Sequence, residues 1–296
     1  MLGYRAGAAL AQHVPARIGR SVAGGLARSA RRFSDDRRLM VERNLVRVLG
    51  EVDPERLDRL VDATFTSYGR YSHDAFRLPA MSIAAVDAGF EVDGLEHLEA
   101  AMAAGPPGPV LALPHLGGWE WAGMWITRVR GWGLTAVVEP LGGEVEDFFL
   151  GLRRDLGMNI VPLGPDVLAE VSGAARRGDV VCLLSDRDLP GTGIEVEFFG
   201  ERTTLPAGPA MLGLRLGCPI LPTAVYFGEG DGVHGVVCPP LDTSRAPGVG
   251  LRENLQRVTQ DLARSLERLI AAAPEQWHLM QPNWPSDHDA LAATSA

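Results

Sequence analysis

The run Val110–Leu113, four apolar residues bounded by Gly-Pro turn signals, constrains the fold more than any other stretch. It breaks at Pro114, passes through His115-Leu116-Gly117-Gly118 and enters a helical pattern at Trp119. A short continuous apolar strand that turns into a helix is the unit from which helix-covered sheets are built. The same alternation continues along the chain. Strands are expected at Phe90–Val92, Leu134–Val138, Asn159–Val161, Val180–Leu184, Ile194–Phe199, Ile220–Phe227 and Val233–Cys238. Helices are expected at Leu95–Ala104, Glu144–Leu156, Val167–Arg177, Pro209–Leu216 and Leu251–Ala273. The fold class is therefore α/β, a single mostly parallel β-sheet covered by helices.

A histidine at the end of a buried strand, just before a helix, sits where α/β sheets place their chemistry. Glu120 follows five residues later. On one continuous helix that step would turn the two side chains roughly 140° apart. With His115 before the turn and Glu120 in the first helical turn, Glu120 can fold back onto the imidazole and orient it as a general base. Gly117 and Gly118 would leave room for a substrate to approach closely. The competing reading makes His115 a structural residue of the strand end. Trp119, Trp121 and Trp125 on the same helix are read first as core packing, with a wall for an apolar ligand as the alternative.

Glu139 follows the strand Leu134–Val138, and Ser185-Asp186-Arg187-Asp188 follows Val180–Leu184. Arg153 lies on the helix between them. Parallel strands share one C-terminal edge, so His115, Glu139 and Asp186 are expected to converge there. Taken singly, each reads first as a surface charge at a loop. Other machinery is missing from the sequence. There is no G-x-S-x-G elbow, and the chain has no lysine for a phosphate-binding P-loop. The remaining histidines form no metal-ligand spacing, and Cys182, Cys218 and Cys238 lie far apart. A base with neither protein nucleophile nor metal suggests direct transfer onto a substrate hydroxyl, with no cofactor.

The charge is unevenly distributed. Residues 1–50 hold ten arginines against Asp35, Asp36 and Glu42, a formal +7, which leaves −16 on the remainder of a chain of net −9. A basic end on an acidic protein points to an anionic surface. Apolar residues Leu2, Tyr4, Leu10, Val14, Ile18, Val22 and Leu26 recur at roughly helical spacing among these arginines. The segment is read as an amphipathic helix that docks on a membrane, or equally as one that packs on the core. It lacks the aromatic interleaving of a single-strand nucleic-acid binder, so no nucleic acid is expected. No 18-residue apolar span or signal peptide is evident, which suggests a peripheral protein on the cytoplasmic side. Ser34-Asp35-Asp36 and Asp53-Pro54 start two further helices. The expected organisation is a helical N-terminal segment over 1–80, an α/β core over 81–285 and a disordered tail over 286–296.

His115-Leu116-Gly117-Gly118-Trp119-Glu120 resembles the H-x-x-x-x-D/E motif of the glycerolipid acyltransferase superfamily. Further pieces resemble its lipid A (lauroyl) acyltransferase-like branch: Arg43-Asn44-Leu45, Ser185-Asp186-Arg187-Asp188-Leu189, Val196-Glu197-Phe198-Phe199-Gly200, Pro206-Ala207-Gly208-Pro209-Ala210 and Ile220-Leu221-Pro222. Within that branch, Trp277-His278-Leu279-Met280-Gln281-Pro282-Asn283-Trp284 is similar to the phosphatidylinositol mannoside acyltransferases. The likeness spans roughly residues 35–285, and where the family carries Glu this chain has Asp186. The resemblance implies a palmitoyl-like group moved from acyl-CoA, a co-substrate, to the 6-hydroxyl of the mannose on the inositol 2-position. It implies His115 as base with Glu120 orienting it, and Glu139, Arg153, Asp186 and Arg187 around the sugar. It also implies work at the inner face of the plasma membrane. The rival readings are transfer to another, lipid A-like glycolipid, and a non-catalytic lipid-binding protein on the same fold.

Overall fold

The computed structural model describes residues 7, 11–140, 142–228, 230–245 and 248–294. Leu2, Tyr4 and Leu10 of the expected amphipathic segment lie outside the described residues. A seven-stranded sheet has the spatial order β1-β9-β8-β2-β5-β3-β4. In chain order these are β1 (Phe90–Asp93), β2 (Val110–Leu113), β3 (Leu134–Val138), β4 (Asn159–Pro162), β5 (Val180–Leu184), β8 (Ile220–Phe227) and β9 (Val233–Val237). Strands β8, β2, β5, β3 and β4 run parallel, and β9 is antiparallel to β8. The residues of β2 are buried on both faces, as parallel strands between helix layers must be. Two strands, β6 (Ile194–Phe198) and β7 (Glu201–Leu205), leave the sheet as an antiparallel hairpin. The sequence suggested β6 only. Strand β7, with polar Glu201, Thr203 and Thr204, carries little apolar signal.

The N-terminal region is helical: α1 (Ala16–Ala30), α2 (Asp35–Leu49) and α3 (Pro54–Arg77). Pro54 opens α3, and Asp53 caps it by accepting the Arg56 N–H at 3.0 Å. Ser34 occupies the cap position of α2 without a side-chain capping bond, so Asp35 and Asp36 supply that end's favourable charge. Helix α1 lies closely on α3 because both helices are small at the crossing. A methyl group on Gly69 would sit 2.6 Å from the Ala23 carbonyl oxygen. Packing through this small-residue face leaves Ile18, Val22 and Leu26 outward, with 57%, 57% and 69% of their surface exposed.

The remaining helices are α4 (Ile83–Ala88), α5 (Leu95–Ala103), α6 (Trp119–Met124), α7 (Gly143–Asp155), α8 (Val167–Arg177), α9 (Gly208–Leu216), α10 (Leu251–Ala271) and α11 (Pro285–Thr294). A π-turn, Trp125–Val129, continues α6. Trp119, Trp121 and Trp125 are all buried in the core on one side of the sheet, as the packing reading expects. Where the sequence suggested a disordered tail from residue 286, α11 is formed and its Asp287 is fully buried. Arg43 and Arg47 of α2 reach Asp287 at 2.7 and 2.6 Å, and Arg47 stacks 4.0 Å over the Trp284 ring. Charge pairing that spans some 240 residues of chain is invisible to local periodicity. Residues 295 and 296 lie outside the described residues.

Candidate active site

Strands β2 and β5 are neighbours, with Leu113 opposite Leu184. Two residues beyond that register stand His115 and Asp186, so the sheet brings them together. His115 Nδ1 lies 2.6 Å from Asp186 Oδ1, and the His115 backbone N–H donates to Oδ2 at 3.0 Å. Asp186 is fully buried, and Trp277 Nε1–H donates to Oδ2 at 2.7 Å. Burial by itself disfavours the carboxylate. The imidazole's charge and hydrogen bond, together with the Trp277 and backbone donors, outweigh it and hold Asp186 below its ordinary range. The same pair acts on His115: burial opposes its charge, but Asp186 raises its pKa overall. A carboxylate only accepts, so Nδ1 carries a proton and Nε2 of the neutral ring is left basic.

The expected His115–Glu120 pair does not form; the carboxylate bonded to His115 is Asp186. The chain reverses at Gly117, where φ is +58° and a Cβ would lie 1.8 Å from the Val225 carbonyl oxygen. After that reversal Glu120, in the first turn of α6, faces α3 and α7. Its Oε1 accepts from Tyr71 Oη at 2.8 Å and from Arg153 at 3.1 Å. Arg153 is itself largely buried, 5.1 Å over the Trp119 ring. Asp186 therefore does not stand where a sugar could meet it. Asp186 spends its lone pairs on His115 and Trp277, while Arg153 gives its Nη2 to Glu120 and keeps a buried Nε–H without a partner among the described residues. Burial and the Glu120 charge also push the Cys182 thiol up to about 12, so no thiolate nucleophile stands nearby.

His115 instead opens onto a mostly apolar groove of about 400 Å³. Val167, Leu168 and Val171 of α8 wall it with Leu183, Leu184 and Met211. The hairpin and the start of α9 close it through Gly193, Pro206 and Pro209. Glu139 and Arg187 stand at the same groove, 3.5 Å from each other, because β3 and β5 are also neighbours. Of the residues expected at the site, the structure gathers His115, Glu139, Arg187 and, behind them, Asp186. It sets Glu120, which is buried, and Arg153 apart as a pair.

The segment after α10 builds much of this geometry. His278 N–H donates to the His115 carbonyl at 2.7 Å, and Asn283 Nδ2 donates to the Asp186 carbonyl at 2.9 Å. The Gly117 N–H donates to Gln276 and the Gly118 N–H to Val225. With the Leu116 N–H on Pro114, the four N–H groups of residues 115–118 are all spent. Gly117 and Gly118 thus cannot supply oxyanion donors in this arrangement. The His278 ring stands among Tyr68, Tyr71 and Phe227, and burial followed by the charge of His115 lowers its pKa to about 3. It stays neutral. The run Trp277–Trp284 carried the family likeness in the sequence, but its task of bracing the His115–Asp186 pair had no local signal.

The sequence profile of the bacterial lipid A biosynthesis acyltransferase family matches residues 2–286. A phosphatidylinositol mannoside acyltransferase of Mycolicibacterium smegmatis is 39% identical over 293 residues, covering 97% of this chain and 91% of the relative. One from Mycobacterium tuberculosis is 41% identical over 256 residues, covering 83% of this chain and 77% of the relative. The chain belongs to the bacterial lipid A biosynthesis acyltransferase family, alongside the phosphatidylinositol mannoside acyltransferases, and is an acyltransferase.

Proposed function

We propose that the protein moves a long, palmitoyl-like acyl chain from acyl-CoA to the 6-hydroxyl of the mannose on the inositol 2-position of a phosphatidylinositol mannoside. The observation that carries this reading is the His115–Asp186 pair at the mouth of an apolar groove. The named relatives supply the acceptor class. The glycerolipid acyltransferase-like fold is part of the same proposal, supported by the family match and the parallel sheet.

His115 Nε2 takes the proton from the acceptor hydroxyl as its oxygen attacks the thioester carbonyl. The tetrahedral intermediate collapses, the C–S bond breaks, and the imidazolium returns the proton to the leaving CoA thiolate. Asp186 holds the tautomer and stabilises the imidazolium. General-base catalysis contributes roughly 10²–10⁴-fold, and the remainder comes from positioning and from charge stabilisation at the carbonyl oxygen. Arg187, at the groove with His115, is the cation suited to that oxygen. Glu139 beside it accepts from sugar hydroxyls. The groove takes the acyl chain, and no metal or cofactor enters the step.

Docking is peripheral, on the cytoplasmic face of the plasma membrane, through the outward stripe of α1. None of the described helices is long and apolar enough to cross a bilayer. The test is release of free CoA from palmitoyl-CoA with phosphatidylinositol mannosides, lipid A precursors and simple glycerolipids as acceptors. Release with the mannosides supports the reading. Preference for a lipid A precursor reassigns the acceptor, and tight acyl-CoA binding without release with any acceptor overturns the enzyme mechanism.

A further inference from the structure

A second cavity, of about 620 Å³, opens between α1, α3 and the chain after β8. Its walls carry Arg28 of α1, Arg59 and Arg70 of α3, and Glu275. Arg70 is committed, because its terminal nitrogens donate to the carbonyls of Gly228, Gly230 and Gly232 at 3.0–3.1 Å. Arg28 and Arg59 are not. Among the described residues Arg28 has no ion-pair partner, and Arg59 meets only the exposed Glu55, at 3.8 Å. The acidic wall residue Asp62 is already paired with Arg31 at 2.5 Å. The cavity therefore offers two uncommitted guanidinium groups, with Glu275 as a carboxylate that can only accept. Guanidinium groups suit phosphate oxygens, and an accepting carboxylate suits hydroxyls.

The cavity also adjoins the catalytic turn. Gln276, on its wall, accepts the Gly117 N–H at 3.1 Å. Ser67, on the same wall, hydrogen-bonds His278 Nε2 at 2.9 Å, and the His278 N–H holds the His115 carbonyl. Both cavities lie along the C-terminal edge of the parallel strands. Phe227, which ends β8, lines one, and His115, which follows β2, lines the other. At about 100° per residue, Arg28 falls on the flank of α1 between its docked face and the stripe of Ile18, Val22 and Leu26.

We propose that this cavity binds the phosphate ester of a phosphorylated polyol on one of the substrates, held by Arg28 and Arg59, with Glu275 accepting from the polyol hydroxyls. The proposal deepens the acceptor reading above and rests on it. Two substrates carry such chemistry: the headgroup of the acceptor lipid, and CoA with its diphosphate and phosphorylated ribose. Continuity with the apolar stripe of α1 favours the lipid headgroup, whose phosphate sits at the depth where an interfacial helix lies.

The test uses the double variant Arg28→Gln/Arg59→Gln, with the double variant Arg252→Gln/Arg264→Gln on α10 as a charge-matched control. KM for phosphatidylinositol mannoside in uncharged detergent micelles and KM for palmitoyl-CoA are measured. Binding of soluble inositol 1-phosphate and of inorganic pyrophosphate is followed by calorimetry. The expected result is a rise of about tenfold in the acceptor KM, with weaker inositol 1-phosphate binding and an unchanged KM for palmitoyl-CoA. A rise confined to the palmitoyl-CoA KM, with weaker pyrophosphate binding, keeps the phosphate site but assigns it to CoA. If both KM values and both binding constants match those of wild type, the proposal is overturned. Should wild type transfer no acyl group to the mannoside, the acceptor reading fails separately, and the two binding measurements still decide the cavity's role.

Discussion

Asp186 grips His115 twice, Oδ1 on the imidazole Nδ1 at 2.6 Å and Oδ2 on the backbone N–H at 3.0 Å. One buried carboxylate thus fixes the position, tautomer and basicity of the histidine. Asp186→Asn keeps the volume but presents an amide that can offer an N–H to Nδ1, favouring the wrong tautomer. We expect kcat to fall by about 10²–10⁴-fold, with the circular dichroism spectrum unchanged. A variant within threefold of wild type would contradict this.

The pH dependence follows from the same contact. His115 must be neutral to act as a base, and Asp186 raises its pKa above the ordinary value of about 6.5. Activity should therefore rise with pH through a midpoint above about 6.5. In Asp186→Asn the residual activity should show that limb at lower pH, because burial, which lowers the histidine's pKa, is no longer opposed by the carboxylate. The sign for stability runs the other way. The ion pair strengthens the fold below the unfolded histidine pKa, and that contribution is lost as pH rises through the raised folded value. The measurement is log kcat from about pH 5 to 9, and a limb moved upward by the substitution would be inconsistent with the pairing.

Glu120 is a different kind of residue from Asp186, although it is the acid of the H-x-x-x-x-E motif. It anchors Arg153 and Tyr71 inside the protein. Glu120→Gln leaves the Arg153 charge buried without a counterion, a loss of about 3–5 kcal/mol in unfolding free energy. The acid limb of the activity profile should stay in place. Chemical denaturation reads the first effect and the pH profile the second; an unchanged midpoint of unfolding with a displaced limb would return Glu120 to the role of orienting His115.

Leu168 lines the groove that His115 opens onto. Leu168→Trp should shorten the acyl chain that fits, raising KM for a sixteen-carbon donor by roughly tenfold relative to an eight-carbon donor. Equal effects on both chain lengths would argue against this groove as the acyl site.

The outward residues of α1 should matter at a membrane and nowhere else. Replacing Ile18, Val22 and Leu26 together by Ser removes about 1 kcal/mol of interfacial burial each, so binding to anionic vesicles should weaken roughly hundredfold. Co-sedimentation measures it. Because these side chains are exposed, thermal stability should barely change.

The sheet was legible because its strands are short apolar runs between turn signals, and the matching ends of β2, β3 and β5 placed His115, Glu139 and Asp186 on one edge from sequence alone. Their pairing was not legible. Sequence separation favoured Glu120, five residues away, whereas lateral strand order makes Asp186, 71 residues away, the neighbour of His115. The pairing of Arg153 with Glu120 was not legible for the same reason, since a helix residue's direction depends on which layer it packs into. The helix in place of the C-terminal tail escaped because what holds it is Asp287 bonded to Arg43 and Arg47, groups that periodicity does not see. The apolar groove assembles from α8, α9 and three strand ends, none of which is distinctive by itself.

The role of His115 as the base is tested by single-turnover CoA release by His115→Ala against wild type, with phosphatidylinositol mannoside and palmitoyl-CoA at saturation and folding checked by circular dichroism. A loss of at least about 10²-fold is expected in the variant, with acyl-CoA binding retained. Near-normal release from a folded His115→Ala protein would contradict it.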